Sequence, residues 1–369
     1  MKNILFLAML LLILLIIGCS EDEVVTPPIN DNEKLNKRTV ELFNQGVEVV
    51  EAAITIDREF SFDDNVLLKS LYNAGYSVSD VVKAIHIAYE YNSRLAEPIL
   101  IEILKNKTEA DIAELILSEY ADELKTRRED LKYFLQKVVN IEIKVQILKN
   151  TFKENQKLIL IILKDVGDNS TEVIKVLINN FQLTKEDVKI LILEAECTAS
   201  EIADALRTIY NSSASEVFQF LSDNGFPDIQ VLNVLKDLYN LSTLQMTQLL
   251  EEKDYDVSEI TEVLIELQYS YEQIGIVLKD YFHYSAEATT SLLKQLNVNI
   301  ENIADILIIV YNLTIPVTVE ILYEAGFSIE EIIDLLYHHL NLGVQEIIDL
   351  LSYFNLDPCV VLNYFNIPC

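Results

Sequence analysis

Ser328-Ile329-Glu330-Glu331-Ile332-Ile333-Asp334-Leu335-Leu336-Tyr337-His338-His339-Leu340 is one phrase of a repeat, and its reading decides the fold. Ile329, Ile332, Ile333, Leu336, Tyr337 and Leu340 fall on a single stripe at helical spacing, while Glu330, Glu331 and Asp334 lie largely off it. Ser328 and Glu331 have capping-box spacing. The hydroxyl can accept from an orphan amide of the first turn, and the carboxylate can reach back to the N-cap amide.

The same chemistry recurs upstream at Thr184/Asp187, Thr198/Glu201, Ser213/Glu216, Ser242/Gln245 and Ser270/Gln273, and earlier at Ser77/Asp80 and Thr108/Asp111. An apolar anchor follows each box in the regular stretch. The series runs Val173, Val188, Ile202, Val217, Val231, Met246, Ile260, Ile274, Ala288, Ile303, Val317, Ile332, Ile347 and Val360. A second anchor lies four residues after each, and it is Leu or Ile in 13 of the 14 cases, Tyr364 being the other. A phase kept over almost 200 residues is the mark of a repeat architecture. Units of 14–15 residues hold a short helix and a turn, and two units make a pair of about 29. One such unit cannot cover its own apolar face, so the expectation is an all-α fold, an α-solenoid of short helices stacked in series. Around residues 269–284 the alternation of turn types slips. The tetratricopeptide and ankyrin signatures are absent. The pattern resembles the short helical-hairpin repeats of bacterial surface proteins.

Outward from the array, residues 170–369 form the regular part and residues 33–169 an N-terminal helical part with irregular repeats. Within the latter, residues 33–57 read as one helix, and Pro98 marks the start of another. Apolar periodicity runs unbroken through residues 121–168, so no boundary is expected there.

Residues 1–18 read as a targeting segment. Lys2 precedes an unbroken apolar run over residues 4–17, which is short for a spanning helix of about 20 residues. The run ends at Ile16-Ile17-Gly18-Cys19, which resembles the lipobox of bacterial lipoproteins. The resemblance implies cleavage before Cys19, lipidation of its thiol and anchoring of the chain to a membrane through that lipid. Ser20-Glu21-Asp22-Glu23 resembles the surface-export signal of Bacteroidota lipoproteins, implying the outer membrane and display on the cell surface, with a periplasm-facing position as the alternative. Residues 19–32, with Pro27-Pro28, form an acidic, proline-stiffened tether.

The charge balance sets what the chain can meet. Against 59 Asp and Glu stand 28 Lys and Arg, a net charge of -31, so nucleic acid is not an expected partner. The acids first read as the solvated faces of many short helices, with an acidic docking surface for a basic partner as the alternative. No catalytic elbow, phosphate loop, dinucleotide fingerprint, zinc spacing or calcium loop occurs, so neither a metal nor a cofactor is expected. His338 and His339 are adjacent and point to different sides of a helix. Cys359 and Cys369 flank the last unit and suit a disulfide cap in an exported protein, while Cys197 reads as a small buried residue. Tyr89, Tyr210, Tyr239, Tyr269 and Tyr311 recur near helix C-termini and read as packing before ligand contact. The expected function is non-catalytic: protein binding or scaffolding from a lipid anchor. The alternatives are a surface glycan- or nutrient-handling component, an enzyme with an unrecognised carboxylate site, and a structural spacer.

Overall fold

The computed structural model describes residues 30–354 and 357–369. Ile16, Ile17, Gly18, Cys19, Ser20, Glu21, Asp22 and Glu23 therefore lie outside the described residues. The rest is an all-α helical-repeat solenoid of 24 α-helical segments, without a strand among the described residues. It divides into two compact units, one running to Asn155 and including Asp165–Gly167, the other comprising Gln156–Lys164 and Asp168–Cys369. The division falls inside the helix Gln156–Val166, so no linker composition marks it.

All eight capping boxes read from the sequence are formed, with a further one at Asp256/Glu259. The turns are as regular as the caps. From Gly167 to Asn341, a residue with positive φ stands two places before every N-cap: Gly167 before Asn169, Gln182 before Thr184, Glu196 before Thr198, and so on to Asn341 before Gly343. The left-handed residue reverses the chain. The next residue turns its amide back onto the helix just ended, as Cys197 does to Ile192, Phe226 to Leu221 and Phe327 to Leu322. The residue after that opens the next helix. Cys197 occupies a turn position that Phe226, Tyr255, Val298 and Phe327 fill elsewhere, which is why it is buried.

Placing the helices corrects the anchor series. The buried anchor is always the fourth residue after the N-cap. Thr289, Thr318 and Val361 replace Ala288, Val317 and Val360, and Ala288 and Val317 are exposed. The spacing from Val173 then becomes 15, 14, 15, 14, 15, 14, 14, 15, 14, 15, 14, 15 and 14. Two of the true anchors are threonines, so an apolar template skipped to their neighbours. The single break in alternation is at Met246–Ile260–Ile274, where Thr243–Glu251 and Val257–Glu266 are both short helices. That is one helix before the expected slip; Tyr255 and Tyr269 occupy equivalent turn positions and disguise it.

The extra residue of the later long units is absorbed in a π-helical last turn, with the Phe282, Tyr311 and Leu340 amides reaching back to Val277, Ile306 and Leu335. Each fully buried Leu or Ile anchor contributes about 1.5–3 kcal/mol and each cap about 1 kcal/mol, so burial between helices holds the array and the caps set its register.

Two expectations for the first unit are corrected. Residues 33–57 form two helices, Asp31–Asn44 and Val49–Glu59, because Gly46 (φ 70°) sends the Val47 amide back to the Leu42 carbonyl and ends the first. Pro98 lies inside Ser93–Ile103. That helix starts earlier because the Asn92 side chain accepts from the Leu95 amide at 3.0 Å.

Candidate functional site

Most side chains that stand out in the sequence are engaged within the fold. The hydroxyls of Tyr239, Tyr269 and Tyr311 donate to the carbonyls of Ser212 (2.6 Å), Leu241 (2.8 Å) and Tyr284 (2.9 Å), each in a turn about one helix pair earlier. Tyr76 does the same to Val47 at 2.8 Å. Burial raises the Tyr269 hydroxyl to about 12, so it stays a neutral donor across physiological pH. The Tyr89 hydroxyl is buried without a hydrogen-bond partner, and Tyr210 lies under Lys185. These tyrosines are packing elements.

The cations follow a parallel rule. Lys236, Lys279 and Lys294 donate to the carbonyls of Leu267, Val310 and Ala325, the last helix carbonyls 31 residues on. Each ammonium also sits over an aromatic ring, Lys294 at 4.5 Å from the Phe327 centroid. A cation at a helix C-terminus answers both the orphan carbonyl and the negative end of the dipole.

The histidines do not converge. His339 lies 2.8 Å from Asp305 and His338 3.7 Å from Asp334, and the described residues contain no group of three metal-ligating side chains. Cys359 and Cys369 are joined as a disulfide, with Cα atoms 5.4 Å apart. Burial pushes the Cys197 thiol above its ordinary pKa, with Lys164 acting in the opposite direction, so it carries little thiolate at neutral pH.

One buried carboxylate belongs to the first unit. Glu97, 7% exposed, accepts from the Tyr133 hydroxyl at 2.8 Å and from the Lys137 ammonium at 2.5 Å. Arg94 stacks 3.4 Å over the Tyr133 ring and bonds Asp130 at 2.6 Å. Burial opposes the charge on Lys137, but the Glu97 and Tyr133 hydrogen bonds outweigh it and hold its pKa above the ordinary lysine value. Glu97 is thus a buried carboxyl group fully engaged by Tyr133 and Lys137. The acid–base chemistry of an enzyme would need a poised group facing substrate space.

Of the open grooves, two in the second unit combine several elements with charged or aromatic linings. The first, about 440 Å³, is lined by Lys185, Lys189, Gln219, Phe220, Asp223 and Lys253, where Lys253 bonds Gln219 at 2.6 Å. The second, about 420 Å³, lies between helices Ile315–Glu324 and Val344–Ser352. Pro316, Val317, Leu350, Tyr353 and Phe354 form its apolar wall, and Glu320 and Asp349 its charged edge. Tyr353 is 80% exposed, a large aromatic surface left open to water.

The second groove stands in a strongly acidic part of the chain. Residues 254–369 carry 18 Asp and Glu against two Lys, and those two are Lys279 and Lys294, both bound to helix carbonyls. The groove was not visible in the sequence because Val317 counts there as a core anchor and Tyr353 as one of 18 tyrosines. No family model and no curated protein matches this chain. Among the described residues, no helix is long and apolar enough to cross a membrane.

Proposed function

We propose that this protein is a non-catalytic, lipid-anchored helical-repeat protein that binds other proteins at the bacterial outer membrane, displayed on the cell surface. The observation that carries the binding role is the groove of Pro316, Val317, Leu350, Tyr353 and Phe354, an exposed apolar strip edged by Glu320 and Asp349. A structural spacer has no need of it, since the anchors of both helices are already buried at Thr318, Leu322, Ile347 and Leu351. The anchor rests on the lipobox ending at Cys19, and the outward address on Glu21, Asp22 and Glu23.

Protease shaving of intact cells tests the address. Display requires that the wild-type chain is cleaved, that the Glu21/Asp22/Glu23→Ala variant is protected until the outer membrane is opened, and that Cys19→Ala abolishes fatty-acid labelling. Protection of the wild type would move the protein to the periplasmic side. Handling of an anionic glycan is a secondary role favoured by one feature, the convergence of Lys185, Lys189 and Lys253 on the first groove. A heparin-like oligosaccharide whose binding survives Lys185→Ala and Lys253→Ala would remove that role.

A further inference from the structure

Two breaks in the repeat meet at the second groove. The third residue after the N-cap is an acid or an amide in most units, among them Asp187, Glu201, Glu216, Gln245, Glu259, Gln273, Asn302, Glu331 and Glu346, with Ala288 and Val360 among the exceptions. At Thr314 the residue is Val317, and Thr314 makes no side-chain cap. Pro316 stands beside it, so this helix start gives up its capping box and presents two apolar side chains instead. The tenth residue after the N-cap of the short helices is Glu194, Asp223, Glu252, Glu266, Gln295 and Glu324 in turn, and then Tyr353. Each of the two helices at the groove thus departs from a local rule that favours stability, and both replacements line that groove.

On the premise that this face binds protein, we propose that its partner is an extended basic segment, with a branched or aromatic side chain seated against Val317, Leu350, Tyr353 and Phe354 and flanking Lys or Arg residues reaching Glu320 and Asp349. The volume of about 420 Å³ is at the lower end of ligand-sized grooves, fitting a few side chains rather than a folded surface. Charge selects the sign. With 18 acids against two lysines, residues 254–369 carry a formal excess of 16 negative charges, which attracts a cationic segment. An acidic segment would meet Glu320 and Asp349 directly.

Val317→Gln and Tyr353→Gln test this without threatening the fold or adding negative charge, because the repeat uses Gln at the same positions elsewhere, at Gln245 and Gln273 and at Gln295. The whole mature chain, carrying Cys19→Ser, is titrated into two labelled peptides, one alternating Lys and Phe and the other Glu and Phe. The Lys–Phe peptide is expected to bind, more weakly as salt rises, and the Glu–Phe peptide not to bind. Each single variant should weaken the Lys–Phe peptide about tenfold, the effect of losing one interface anchor. A Lys–Ser peptide that binds as well as Lys–Phe, or variants that bind like the parent, would overturn the proposal. In cells, a photo-crosslinking residue at position 353 separates the two premises. A cross-link to a neutral or acidic segment of another protein sinks the basic-segment inference and leaves protein binding standing. A cross-link only to glycan, only to a second copy of this chain, or to nothing sinks both.

Discussion

The Lys294 ammonium donates to the Ala325 carbonyl across 2.8 Å, linking a side chain near the end of one short helix to the C-terminus of the next short helix. The same ammonium lies over Phe327, in the turn that follows. One cation therefore satisfies an orphan carbonyl, opposes a helix dipole and packs on an aromatic face.

Lys294→Met keeps most of the aliphatic packing and removes the charge. It should destabilise the chain by about 1.5–3 kcal/mol in urea unfolding, the range for a hydrogen bond to a charged group. A change within experimental error would mean that water replaces the ammonium at Ala325 without loss.

Thr289 and Thr318 occupy equivalent buried anchor sites, but their hydroxyls differ. Thr289 shares a 2.6 Å hydrogen bond with the Tyr311 hydroxyl, whereas Thr318 Oγ1 is buried without a partner. Thr318→Val should therefore stabilise the protein by about 1 kcal/mol, and Thr289→Val should destabilise it by a similar amount. Paired thermal melts decide the point; the same sign for both would refute it.

Backbone strain is isolated at Gly225 (φ 82°), where an added Cβ would meet nothing within 4 Å. Gly225→Ala should cost about 1–2 kcal/mol from the left-handed conformation alone. At Gln268 (φ 60°) the natural side chain already carries that strain, so Gln268→Gly is expected to stabilise by up to about 1 kcal/mol. Chemical denaturation of the two variants should give opposite shifts.

Acid stability should respond to Glu201. Burial by itself would raise its carboxyl pKa. Hydrogen bonds from Ser170, the Thr198 amide and hydroxyl, and Lys164 overcome that and hold it below the ordinary carboxylate value. A depressed native pKa adds stability that is fully present above the unfolded value of about 4.3 and is lost as pH falls through the native one. Glu201→Gln should therefore destabilise at pH 7 and converge with the wild type as pH falls from about 5 toward 3. Parallel stability profiles over that range would exclude this role.

The fold was largely legible because its signals are local. A Ser or Thr with an acid or amide three residues on, followed by Leu or Ile, defines a capped helix whatever surrounds it, and all eight boxes read that way formed. The errors came where a local signal carried a different meaning. Thr289 and Thr318 are polar residues in core positions, and Pro98 is a helix breaker inside a helix that begins at Ser93.

The grooves were not legible in the same way. Whether an apolar side chain such as Val317 faces the core or water depends on where the helix begins, and one residue of phase rotates it by about 100°. Whether a lysine is a free charge or a helix cap depends on a carbonyl 31 residues away, as it does for Lys279 and Val310. The sequence alone determined the helical units, their caps, their period and the acidic excess, because these follow from backbone chemistry within a few residues. Only the tertiary structure decided which cations are engaged by carbonyls and which apolar residues stay outside. Those outcomes depend on stacking between helices, where distances are set by packing and not by position along the chain.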